Sequence, residues 1–162
     1  DEFETIKQHT ILGAQLFLGQ QSELDDAASQ VALTHHERWD GKGYPGYVDV
    51  KTGSPLPGHI GPKGQPLGKK GTDIPLFGRI VALADVYDAL SSRRCYKPAW
   101  AHRDVMQLLH NESGRHFDPR CIDAFMRRLD EVRKIQDMLR DDRNSNAEPA
   151  ASKVRAPVET LV

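Results

Sequence analysis

The chain has 162 residues, 38% hydrophobic and 28% charged, with a formal net charge of -1. That length supports one domain with one sizeable core and leaves too little for a second domain of ordinary size. The near-neutral balance excludes attraction of nucleic acid polymers or anionic membranes through the overall field, so any anion must be held locally.

No run of about 18 apolar residues suggests a membrane span, no signal peptide opens the chain, and Cys95 and Cys121 show no framework spacing. A reducing, cytoplasmic setting is expected. The chain opens on Asp1 with no methionine before Met106, which reads as a piece of a larger protein.

In chain order, "DEFETIKQHTILGAQLFLG" predicts an amphipathic helix ending near Gly19, with Phe3, Ile6, Ile11, Leu12, Leu16 and Leu18 apolar and acids in the first turn. His9 follows Ile6 near its buried stripe. "SELDDAASQVALTHHE" predicts a second helix with Ser22 as N-cap, running to about Glu37 and carrying His35 and His36 at its end.

From Asp40 to Asp73 glycine and proline recur and apolar periodicity disappears, which predicts a long loop of the kind that serves as a lid or an insertion. "IPLFGRIVALADVYDALSS" then predicts a strongly apolar helix from about Leu76 to Leu90 with Asp85 and Asp88 embedded in it. "AHRDVMQLLHNES" predicts a shorter helix. A last one starts with Asp118 as N-cap and Pro119 at its first position and continues to about Arg140. Ile122, Phe125, Met126, Leu129, Val132, Ile135 and Leu139 recur at helical spacing along it, a stripe for intradomain packing or for a homodimer. Residues 142–162 carry no pattern and read as a flexible tail. No strand pattern competes, so the fold class is all-α with about five helices.

Metal chemistry needs imidazoles and carboxylates fixed by rigid elements, and His9, His35, His36 and Asp85 are candidates, each on a predicted helix. Neighbouring helical residues diverge by about 100°, so His35 and His36 are expected to reach two adjacent ions. An acid in "VALADVYDAL" must be paired, hydrogen-bonded or coordinated. The competing reading of His9 is an ordinary capped or exposed histidine. His59, His102, His110 and His116 are read as surface or structural residues. In "SSRRCYKPAW", Arg93, Arg94 and Lys97 can clamp phosphate, with Tyr96 and Trp100 interleaved, or can simply complement the dipole of the preceding helix.

These residues carry a resemblance. "HHERWDGKGYP" resembles the signature of the HD-GYP domains, a branch of the HD phosphohydrolase superfamily, and "IPLFGRIVALADVYDALSSRRCYKPAW", "ESGRHFDP" and "IKQHTILGAQLF" are similar to its further motifs. The resemblance implies a helical bundle of the HD-domain type, incomplete at its N-terminus, with residues 1–141 as the C-terminal portion of the domain. It also implies two or three divalent metal ions, iron or manganese, and hydrolysis of the bacterial second messenger cyclic di-GMP to pGpG and, in some members, GMP.

Carried over, His9, His35, His36 and Asp85 match metal ligands, and Arg94 and Lys97 match positions that contact the nucleotide phosphate. Asp40, Gly41, Gly43, Tyr44 and Pro45 match the loop associated with shaping the site and with contacts to diguanylate cyclase (GGDEF) domains.

Three departures bear on this. No His-Asp dipeptide is present, so the 162 residues are expected to be inactive alone, the pair being supplied by the parent protein; the alternative is a catalytically inactive module that binds nucleotide or a cyclase. The segment at about 47–73 is longer than the family's usual connection and reads as an insertion tolerated at the surface. Cys95 stands where the family usually has proline.

Overall fold

The computed structural model describes residues 2–19, 22–93 and 98–138. They form six helices: α1 (Glu2–Gln15), α2 (Glu23–Thr34), α3 (Leu76–Ser91), α4 (His102–Asn111), α5 (Pro119–Arg127) and α6 (Leu129–Met138), with one 3-10 turn at Gly71–Asp73. No strand occurs among the described residues; three isolated bridges are the only β pairing there. The all-α expectation holds. Arg94, Cys95, Tyr96, Lys97 and the expected tail lie outside the described residues.

Local signals set most boundaries. Ser22 caps α2 by accepting the N–H of Asp25, and Asp118 caps α5 by accepting the N–H of Arg120, with Pro119 at the first helical position, where its missing donor costs nothing. Two boundaries differ from expectation. Helix α2 stops at Thr34 with His35 as its C-cap, so His36 and Glu37 lie beyond it. The last helix is broken at Arg128, whose N–H turns back to the Phe125 carbonyl and divides it into α5 and α6. The break lets Val132 pack on the core together with Phe125 and Met126. Ile135, expected on the same stripe, is 51% exposed.

Helix α3 is the central element, in contact with α2, α4 and α5. Its Leu83, Val86, Tyr87 and Leu90 meet Val105 and Leu109 of α4 and Phe117, Cys121 and Ile122 at the start of α5. Cys121 is an unpaired thiol buried in that core, and burial raises its pKa. Where α3 crosses α2, a Cβ on Gly78 would collide with the side chain of Thr34, so the two backbones approach as only glycine allows. Helix α1 lies on α2 through Thr10 and Ala14, both fully buried. The stripe expected to be buried is mostly open, with Leu12 at 56% and Leu16 at 77% exposure, because α2 meets the small residues of α1 instead.

Candidate metal centre

His9 projects from the middle of α1, His35 closes α2, and His36 follows on the first residue of the turn. One ring nitrogen of each lies within 4.8 Å of the others. The ring centres of His35 and His36 are 4.1 Å apart, and His9 is 4.9 Å from His36. The expected helical divergence between the adjacent pair does not arise, since only one of them is at the helix end and neither is inside it.

Hydrogen bonding fixes the tautomers. His9 Nδ1 lies 2.6 Å from the Ile6 carbonyl, and His35 Nδ1 lies 2.9 Å and 3.0 Å from the carbonyls of Val31 and Ala32. A carbonyl oxygen only accepts, so both Nδ1 atoms carry the hydrogen and each ring is left with Nε2 to offer a ligand. Those two Nε2 atoms face each other at 3.3 Å. Two imidazole nitrogens at that distance are held together by a cation shared between them. Orientation of imidazoles by their other nitrogen is also how metal-ligating histidines are held.

His36 completes the group from below. It is 9% exposed, and its Nδ1 is buried without a protein partner. Burial, with the neighbouring His35, His9 and His116, draws its pKa down to about 3, so the ring stays neutral and able to donate a lone pair. The fit to a borderline or hard divalent ion is good: three clustered imidazoles, two of them oriented through Nδ1, and an orphaned buried nitrogen on the third.

The signature loop covers His36. Tyr44 stacks on it with ring centres 4.9 Å apart, and the Tyr44 hydroxyl is buried without a partner. Burial, aided by the charge of Asp85, pushes the phenol up to about 12. Asp85 thus stands on α3, half-buried and within electrostatic reach of Tyr44, but outside the close group of three histidines. The loop backbone lies against the His36–Arg38 chain so closely that a Cβ on Gly43 would come 2.5 Å from the Glu37 Cα. Gly41 and Gly46 adopt φ of +81° and +83°, which glycine accepts without strain.

Asp40, a sequence candidate, points into the framework. Its carboxylate takes hydrogen bonds from Arg38 at 3.2 Å and 3.1 Å and from the Lys42 N–H at 3.1 Å. Burial alone would raise its pKa, but these bonds outweigh it and hold the group below its usual value. Arg38 also reaches Glu112 at 3.4 Å, and the N–H groups of Trp39 and Asp40 bond the carbonyls of His116 and Arg115. The signature loop is thereby fastened to the turn between α4 and α5.

Sequence reasoning missed Glu37. It is 2% exposed, and burial pushes its carboxyl up to about 7. Its only sequence signal was its position beside two histidines. His116, read as surface or structural, is structural: 6% exposed, stacked on Phe117, with Nδ1 unpartnered. A cavity of about 710 Å³ along α3 and α5 is lined by Leu83, Tyr87 and Phe125 among others and by none of the three histidines.

The HD domain profile matches residues 59–121. The chain is 40% identical over 132 residues to a probable cyclic di-GMP phosphodiesterase of Vibrio cholerae serotype O1, covering 78% of this chain and 25% of that protein. It is 38% identical over 135 residues to the cyclic di-GMP phosphodiesterase response regulator RpfG of Xanthomonas campestris pv. campestris, covering 83% and 30%. It is 32% identical over 140 residues to the 3'3'-cGAMP-specific phosphodiesterase 2 of Vibrio cholerae serotype O1, covering 86% and 23%. The chain therefore spans between 23% and 30% of the length of these relatives.

Proposed function

Because the chain belongs to the HD-domain family, in the branch marked by its His-His-Glu and Gly-Tyr-Pro signature, we propose that it is part of the hydrolytic domain of a metal-dependent cyclic di-GMP phosphodiesterase. The observation that carries the reading is the approach of His9 Nε2 and His35 Nε2, 3.3 Å apart beside His36. His9, His35 and His36, joined by Asp85 from α3, would hold two or three divalent ions, iron or manganese, whose imidazole and carboxylate preferences match this donor set. When bound, such ions acidify water and neutralise phosphoryl oxygens.

The chain's own residues do the rest. The carbonyls of Ile6, Val31 and Ala32 orient the ligand rings. Tyr44, stacked on His36 with its hydroxyl buried, forms the wall of the site over that ligand. Gly43 and Pro45 give the loop the close backbone path that brings Tyr44 there, and Asp40 ties the loop to Arg38. Arg94 and Lys97, outside the described residues, are the proposed phosphate clamp. Since the 162 residues contain no His-Asp dipeptide, the activity is proposed for a protein that brings that pair to the site. Diguanylate cyclase domains are the proposed partners of the loop's outer surface, and the exposed Ile135 and Met138 of α6 support a homodimer contact.

The test is turnover by the natural full-length protein under anaerobic conditions with iron or manganese. Conversion of cyclic di-GMP to pGpG and GMP, lost in the His35→Ala, His36→Ala double variant, is expected. Binding of cyclic di-GMP without cleavage would leave a nucleotide-binding module instead. The relative specific for 3'3'-cGAMP gives a second substrate reading, decided by the ratio of kcat/KM for the two dinucleotides.

A further inference from the structure

We infer that Glu37 is a positioning residue that clasps the signature loop to the 47–73 segment beneath the histidines, which makes that segment part of the site's framework instead of a surface insertion. The inference rests on the site reading proposed above.

The clasp is built from backbone donors. Glu37 Oε1 accepts the Gly46 N–H at 2.6 Å, and Oε2 accepts the Lys69 N–H at 3.1 Å. One carboxylate thus holds the exit of the signature loop and the returning end of the segment together. Neither bond requires the lysine side chain, whose ammonium instead lies 4.2 Å above the Tyr47 ring.

Around the clasp the two stretches run against each other. The Tyr47 N–H bonds the Leu67 carbonyl at 2.9 Å, the Gly71 N–H bonds the Trp39 carbonyl at 3.0 Å, and the Tyr47 hydroxyl bonds Asp73 at 2.8 Å. A Cβ on Gly46 would strike the Leu67 carbonyl, and one on Gly68 would strike the Gly41 carbonyl. The segment is also tied outward to α1, where Gln15 donates to the Val50 carbonyl at 2.9 Å. A merely tolerated insertion needs no such fastening at both ends.

Tyr44 sits between two anchors: its own N–H on the His36 carbonyl at 3.2 Å, and Gly46 on Glu37. Releasing the second frees the Tyr44 ring from His36. The ligand rings of His9 and His35 keep their separate carbonyl anchors on α1 and α2. Glu37 therefore acts on the wall over the metal ligands, and its loss should separate substrate binding from metal retention.

The experiment uses the natural full-length protein with Glu37→Gln, whose amide keeps the shape but turns an N–H toward one of the two backbone N–H groups. Hydrogen exchange over residues 40–72, metal content, and KM and kcat for cyclic di-GMP are measured together. Expected are exchange at the Gly46 or Lys69 amide faster by about tenfold or more, unchanged metal content, and KM raised by about tenfold with a smaller change in kcat. Lys63→Ala, an exposed side chain of the same segment away from the clasp, should resemble wild type in all three.

Gly68→Ala, which forces the Gly41 carbonyl away while leaving Glu37 intact, should reproduce the KM effect and decides the matter if Glu37→Gln fails to fold. Unchanged exchange in Glu37→Gln, or loss of metal along with the change, would overturn the clasp. A wild-type protein without turnover on either dinucleotide would refute the phosphodiesterase reading alone, since the exchange comparison still decides the clasp.

Discussion

At the α3–α5 end, Val105 and Leu109 are fully buried among apolar neighbours, whereas around the histidines the buried side chains are Thr10, Thr34, His36 and Glu37. The apolar end is held by packing, with the cavity along α3 and α5 beside it. The polar end holds imidazole nitrogens that face each other and buried atoms without partners at His36 Nδ1 and Tyr44 Oη. Unsatisfied groups of this kind are costly in a region built only for stability. The contrast puts the apolar packing that holds the fold together at one end of α3 and the clustered imidazoles at the other.

The sharpest way to break this comparison is to exchange the roles of the two ends. Phe117→Ala, at 1% exposure, is expected to lower stability by about 3–5 kcal/mol in denaturant unfolding. A loss below about 1 kcal/mol would mean that the apolar end is not the main source of cohesion.

Acid should come next. His116 lies where the two ends meet, and burial, with the Arg38 charge, draws its pKa from 6.5 to about 4 against the pull of Asp40. Between those values the unfolded chain binds more protons at this site than the folded one, so the contribution of His116 to stability falls as pH drops from about 6.5 to 4, by up to about 3 kcal/mol, with His36 acting in the same sense and the raised carboxyl of Glu37 in the opposite one. Unfolding midpoints measured across that window should fall less with acid in His116→Phe than in the wild type, the difference being the His116 contribution.

Gly78→Ala strikes the seam where α3 meets α2 just before His35. The collision with Thr34 is expected to cost about 1–3 kcal/mol and to disturb metal uptake as well. His9→Ala should be the smallest in stability, within about 0.5 kcal/mol because the residue is exposed. It should nevertheless abolish tight metal binding, measured by equilibrium dialysis. A large loss of stability in that variant would make His9 a packing residue.

Much of this was legible in the sequence, for identifiable reasons. The cap at Ser22 and the Asp-Pro start at Asp118 are local signals, and α3 is so apolar that its helix could not be missed. The three histidines were legible because the imidazoles stand in a recognisable motif. What failed depended on tertiary context. Nothing local in α1 says that Thr10 and Ala14, not Leu12 and Leu16, face α2, because that follows from the close approach of the two backbones at Gly13. The break at Arg128 interrupts good helical spacing, and only the packing of Val132 explains it. Glu37 was invisible because its partners are backbone N–H groups, which carry no sequence signature.

The central claim is that His9, His35 and His36 are metal ligands, and metal stoichiometry tests it most directly. The natural full-length protein and its His35→Ala variant, purified anaerobically after loading with iron or manganese, would be compared by elemental analysis. The account predicts two or three ions per chain in the wild type and fewer in the variant, with folding unchanged by circular dichroism. Equal metal content in the two proteins, or none in either, would contradict it.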